Sequence, residues 1–190
     1  MTGANSQRSS ATLASNSDRA LVYTSSAARR KDNLASFVER SRGSPETAAS
    51  LRQMLASVDV IGEMQRAIEP VGLSVSNVAD AYAVWWMSSW GAAHGDPTTP
   101  NRATAQAVRA QAARAIMAMP EFGRADDAAK QEYAEALIVQ AAMIDGLLER
   151  YRTDPVMGPK VAASARQGAR ASGLDLDTMT LTERGFIAVK

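Results

Sequence analysis

Apolar residues recur along most of this chain at spacings of three and four, the rhythm of a helix with one buried face. Leu34, Phe37, Val38 and the stem of Arg42 share such a face, with Gly43 as a stop and Ser44-Pro45 as a cap and restart. The next stripe, Leu51, Met54, Leu55, Val58, Ile61, Gln65 and Ile68, reads as one long helix or two. Ser57, Asp59 and Gly62 weaken its middle, and Pro70 and Gly72 end it. From Asn77, a capping residue, Val78 to Trp90 is apolar all round, the mark of a helix enclosed by others. Asn101 caps a fourth segment with the stripe Ala105, Val108, Ala112, Ala115, Met119. Asp126 opens the most regular one, in which Tyr133, Leu137, Gln140, Ile144, Leu147 and Tyr151 alternate at four and three, and Leu148, Ile138 and Met143 widen that face beyond a narrow coiled-coil seam. A small-residue helix runs from Pro159 to Ser172.

Both ends differ. Residues 1–18 are rich in Ser and Asn with almost nothing apolar, too little to offset the entropy of ordering, so a disordered leader or linker is expected there. Residues 174–181 look loop-like, whereas Gly185-Phe186-Ile187-Ala188-Val189 looks like a strand able to pair with Leu21-Val22-Tyr23 and tie the termini together. The expected architecture is all-α: a single helical-bundle domain over 19–190 with five or six helices and a small two-stranded ribbon.

Charge and composition remove whole classes of chemistry. The 190 residues carry 21 Lys+Arg against 20 Asp+Glu, so no global field points to nucleic acid or anionic lipid. Seven basic residues against three acids in 1–43 form no coherent phosphate-tracking stripe, and Arg29-Arg30-Lys31 reads as a solvated face. Without cysteine there is no disulfide, thiolate nucleophile or cysteine-type zinc site, and one histidine excludes sites needing two imidazoles from one chain. Asp126-Asp127, Glu132-Glu135 and Asp175-Asp177 match no metal loop, so neither metal nor cofactor is expected. The longest uncharged run, Ala81 to Gly95, has fifteen residues, short of the roughly 20 a spanning helix needs, so no transmembrane segment is expected. Residues 1–18 lack the apolar stretch of a signal peptide, and the start is compatible with a leader already removed.

The strongest local feature is aromatic. On a helix Tyr82, Trp86 and Trp90 form one strip, and Trp85 points about 100° away. In an alanine-rich protein such rings first of all fill core, with Trp90 expected near the surface. His94 and Asp96 follow in a glycine-flanked loop. They have the residue types of a general base and its orienter, but no nucleophile motif accompanies them, and the histidine reads as a helix-terminal surface residue. The candidate binding surface is therefore Trp86, Trp90, His94 and Asp96, with no catalytic residue assigned.

The stretch Asn77-Val78-Ala79-Asp80-Ala81-Tyr82-Ala83-Val84-Trp85-Trp86, the segment near Gly91, and the tail Gly173-Leu174-Asp175-Leu176 through Leu181-Thr182-Glu183-Arg184-Gly185-Phe186 resemble a bacterial family of unknown function. The resemblance covers about residues 58–187 and rests on packing and turn motifs. It implies an exported helical protein, periplasmic or secreted, and supplies no activity. Together these readings give a non-enzymatic protein that binds another protein or an envelope component. A small helical hydrolase of cell-wall glycan, using paired carboxylates such as Glu63 and Glu69, is the alternative. Self-association through the Tyr133–Tyr151 stripe is a third reading.

Overall fold

The computed structural model describes residues 19–41 and 45–189. The leader expected over 1–18, together with Arg42, Gly43 and Ser44, lies outside the described residues. Helices α1 (Ala27–Arg40), α2 (Pro45–Ser57), α3 (Val60–Ile68), α4 (Val78–His94), α5 (Arg102–Met117), α6 (Asp127–Tyr151) and α7 (Met157–Ala171) precede a hairpin of β1 (Met179–Thr182) and β2 (Gly185–Ala188). The chain is mostly helical, as the spacing of apolar residues predicts. The Leu51–Ile68 stripe resolves into α2 and α3, which takes the helix count past the six expected. Asp59 causes the break: its carboxylate accepts from the Gly62 amide and caps the second helix. Asn77, Asn101 and Asp126 cap α4, α5 and α6 in the same way.

Helix α4 is the central rod. It packs against α5, α6 and α7, and its buried residues lie all around its circumference. Alanines 79, 81, 83, 92 and 93 let neighbours approach closely, and Tyr82, Trp85 and Trp86 fill the wider gaps. Tyr82 packs edge-on to Trp86, with ring centroids 6.0 Å apart. Trp86 stacks on Phe186 at 4.4 Å and is only 9% exposed.

Four expectations need correction. The ribbon does not join the termini: β2 pairs antiparallel with β1, Thr182 facing Gly185, and the stretch expected to be a loop supplies the first strand. The physical reason is the turn. The Thr182 hydroxyl accepts from the Arg184 amide and donates to the Gly185 carbonyl, and Gly185, at φ 84°, adopts the left-handed conformation that closes a short hairpin. Leu21–Tyr23 instead lies beside the start of α4, where Val22 bridges Asn77 and the Tyr23 amide donates to the Ser76 carbonyl at 3.1 Å. In α5 the core position is Ile116 rather than Ala115, because 105, 108 and 112 continue by a step of four.

The third correction concerns α6. Its buried face is Gln131, Ala134, Glu135, Ile138, Ala141 and Leu148, together with Leu137 and Val139. Of the expected face Leu137, Ile138 and Leu148 are buried, whereas Tyr133, Gln140, Met143, Ile144 and Tyr151 are only half-buried and Leu147 is 42% exposed. The face is rotated because two of its inward positions are polar. Gln131 and Glu135 anchor α1 and the segment before it. Gln131 exchanges hydrogen bonds with both backbone groups of Ser26, and its Oε1 also accepts from Arg29 Nε at 2.9 Å. Glu135 accepts from Arg30 at 2.9 Å, Asn33 at 2.8 Å and Gln131 at 2.9 Å. The Arg29-Arg30 pair is therefore not a solvated face; it reaches into the bundle.

Candidate functional site

The C-terminal half of α4 forms one wall of an open groove of about 790 Å³. Its floor is apolar, with Ile68 of α3, Leu73 of the following loop, Val84 of α4 and Leu148 of α6. Its rim is polar: the loop from Asp96 to Asn101, the turn of the hairpin at Glu183, and Asp145 and Glu149, which are four residues apart on α6 and so share a face. A volume of this order is typical of sites for small molecules or short chain segments.

The loop holds its position because of Gly91. A Cβ at this residue would lie 2.7 Å from the carbonyl oxygen of Asp96, so only glycine lets the chain fold back so closely. The Asp96 amide then donates to the Gly91 carbonyl at 2.8 Å. The Asp96 carboxylate accepts from the Thr98 amide at 2.9 Å, and hydrogen bonds from the Thr98 side chain and backbone hold its pKa below the ordinary carboxylate range. Asp145 is shifted in the opposite direction. Its side chain opens onto the groove and is reached by solvent, and partial desolvation by the surrounding chain raises its pKa, against the pull of the Ser88 hydroxyl beside it. The two acids of one groove are thus displaced in opposite directions.

The four residues expected to form a binding surface separate. Trp90 and Asp96 line the groove. The indole of Trp90 donates to the Met179 carbonyl at 3.1 Å, and its ring stacks on His94 at 4.4 Å. His94 is exposed, places Nδ1 2.9 Å from the Trp90 carbonyl, and borders a neighbouring hollow of about 250 Å³ that also touches Arg152. Histidine and aspartate are therefore engaged separately, His94 with Trp90 and Asp96 with Thr98. Trp86 lies beneath the hairpin, where its indole N–H points at the Met179 sulfur at 3.3 Å, and it lines neither hollow. The hairpin itself is clamped from α5. Gln111 donates to the Phe186 carbonyl at 2.7 Å and accepts from the Phe186 amide at 2.9 Å, as a neighbouring strand would.

Sequence reasoning missed Asp145, Glu149 and Glu183 as groove residues. Glu63 and Glu69, the carboxylates it considered for glycan cleavage, lie outside the groove lining, and Glu63 pairs with Arg66 at the surface. Asp145 could have been found by its position: a single acid within the apolar run Ile138 to Leu148, away from both helix ends. Among the described residues no group of three or more His, Cys, Asp or Glu is placed to hold a metal ion, and no helix is long and apolar enough to cross a membrane.

A family model to whose members no function is ascribed matches the chain over residues 2–187. No curated protein and no solved structure matches it.

Proposed function

The chain belongs to the Family of unknown function (DUF6683), and on that premise we propose that it is an exported bacterial protein that acts by binding a protein partner of the cell envelope through the α4 groove, without catalysis of its own. The observation that carries this reading is the groove itself: an apolar floor with a polar rim, walled by the largely buried α4 and by a hairpin tied to that helix through Trp90 and to α5 through Gln111. Binding sites are commonly loops set on a rigid scaffold, and Asp96 to Asn101 is such a loop. A photoreactive side chain placed at Thr99, on the rim, tests it. Crosslinking to an envelope protein is expected from Thr99, is expected to stop when Ala67→Trp fills the groove, and is not expected from exposed Ala163 on α7. Equal crosslinking from both positions, or none from Thr99, overturns it. Fractionation of cells expressing the gene from its natural start tests export, and retention in the cytoplasm refutes that part.

A second reading has its own observation. Glycan hydrolysis needs one carboxyl protonated at working pH and another ionised, and Asp145 and Asp96 are displaced in those two directions. In that role Asp145 would donate a proton to the departing glycosidic oxygen, and Asp96 would act as base or nucleophile. Clearing of a cell-wall suspension that disappears in Asp145→Asn favours this reading. A suspension left intact by the full-length protein eliminates it.

A further inference from the structure

We propose that the occupant of the groove is an extended polypeptide segment carrying a lysine or arginine beside an aliphatic side chain. This deepens the binding reading above and rests on it.

The argument begins with the sign of the charges. Four ionisable side chains line the groove, Asp96, Asp145, Glu149 and Glu183, and all are acids. The chain as a whole is nearly balanced, with 21 basic residues to 20 acidic, so the lining departs from its average. These acids come from three places far apart in sequence: the loop after α4, the second half of α6 and the hairpin turn. They are therefore not the solvated face of one helix. Their protein partners leave most of the negative charge in place. Thr98 and Asn101 donate neutral hydrogen bonds to Asp96 and Glu183, the Ser88 hydroxyl lies beside Asp145, and Arg152 reaches Glu149 only at 3.7 Å from an exposed position.

Below this rim the floor is aliphatic. A guest that satisfies both levels has an apolar stem and a cationic head, which describes a lysine or arginine side chain lying along a hydrophobic surface with its charge at the edge. A neutral or anionic guest would strip water from the carboxylates and return nothing to them. The aromatic residue argues against a sugar. Trp90 has one ring face covered by His94 at 4.4 Å and is tilted against Phe186 at 6.3 Å, which leaves a smaller platform for a sugar ring to stack on. The prolines at 97 and 100 stiffen the loop that forms part of the rim and limit the entropy lost when a strand-like segment is seated.

The test uses the full chain and short labelled peptides followed by fluorescence anisotropy. One alternates leucine with lysine, a second alternates leucine with glutamate, and a chito-oligosaccharide competes in a third arm. The leucine–lysine peptide is expected to bind, and to bind more weakly as salt rises, since the rim charges are screened. Asp145→Asn combined with Glu149→Gln preserves shape and is expected to weaken binding by about tenfold or more, the scale of losing two partly exposed charge contacts. Glu46→Gln, an exposed acid on α2, is expected to leave it unchanged. Equal binding of both peptides, equal binding by the double variant, or displacement by the sugar overturns the cationic-peptide proposal. If Ala67→Trp still blocks the bound molecule in those cases, the groove survives as the binding site and only its occupant is wrong. If Ala67→Trp leaves leucine–lysine binding intact, the groove reading falls with the proposal.

Discussion

Replacing Glu135 with alanine tests whether the buried polar cluster holds α1 to the bundle. The carboxylate is 1% exposed and accepts three hydrogen bonds, from Arg30, Asn33 and Gln131. Hydrogen bonds to a buried charged group contribute about 1.5–3 kcal/mol each. The three are not worth their sum, however. Arg30 is 31% exposed and turns to water once its partner is gone, and the half-buried Asn33 does the same. Gln131 is wholly buried, keeps its bond to the Ser26 carbonyl, and loses one donor contact outright. With the space left by the removed side chain, the expected loss is about 3 kcal/mol. For a domain of this size that lowers Tm by roughly 6–12 °C. Arg30→Ala is expected to lose about 2–3 kcal/mol, because it leaves the buried Glu135 carboxylate with only the neutral donors Asn33 and Gln131. Urea titrations of both single variants and the double variant, followed by far-ultraviolet circular dichroism, give the coupling between the two, expected at about 1 kcal/mol. A loss below about 1 kcal/mol for Glu135→Ala, or zero coupling, refutes the reasoning. It would mean that α1 is held by its few apolar contacts alone.

Other substitutions separate core from groove. Trp86→Ala removes a ring stacked on Phe186 and is expected to cost about 3–5 kcal/mol in urea, whereas Trp90→Ala, at a half-buried position, costs about 1–2 kcal/mol; equal losses would show that both rings are core. Gly91→Ala pushes a methyl group into the Asp96 carbonyl and is expected to cost about 1–3 kcal/mol and to displace Asp96, seen as shifted amide resonances confined to residues 91–101. Gln111→Ala leaves both backbone groups of Phe186 without their partners, so amide exchange of the hairpin is expected to accelerate while that of α4 stays slow. The raised pKa of Asp145 has a definite linkage sign. An acid that holds its proton more tightly in the native state than its ordinary value of 3.8 loses folding stability as pH rises through that value and up to the native pKa. Asp145→Asn is therefore expected to be more stable than the parent at neutral pH and to converge with it as pH falls toward 3.8; a gap that widens in acid refutes the assignment.

The helices were legible because their ends carry local signals. Asn77, Asn101 and Asp126 each cap through a side chain three residues or fewer from its target, and that information is contiguous in the chain. The central rod was legible for a related reason: a segment apolar on every side has no face that can be turned to water. Faces were harder where burial and hydrophobicity part company. On α6 the three–four rhythm of Tyr133 to Tyr151 is the regular pattern, yet the helix turns Gln131 and Glu135 inward, because Arg29, Arg30, Asn33 and the Ser26 backbone satisfy them there. Those partners lie about a hundred residues earlier, and nothing in the spacing of α6 announces them. The hairpin was missed for the opposite reason. Its first strand is too short and too polar to stand out alone, and it forms because the Thr182 turn, Trp90 and Gln111 hold it from three sides.

The groove follows the same logic at larger scale. Trp90 and Asp96 were legible because an aromatic helix end beside a Gly/Pro loop is a local motif. Asp145, Glu149 and Glu183 were not, because a cavity is a property of elements brought together and its lining has no common spacing. What links them is the inward rotation of α6. Asp145, ten positions beyond Glu135, lies about 80° around the helix from it at about 3.6 residues per turn, so the setting that points Gln131 and Glu135 toward α1 also fixes the direction in which Asp145 projects. The polar contacts that anchor α1 and the acid that faces the groove are thus consequences of one rotational setting of one helix. A variant that restores the hydrophobic rhythm, Gln131→Leu with Glu135→Leu, should release that setting. Loss of α1 protection in amide exchange together with a changed Asp145 side-chain titration by NMR is the expected result. Either change without the other would show that the two ends of α6 are set independently.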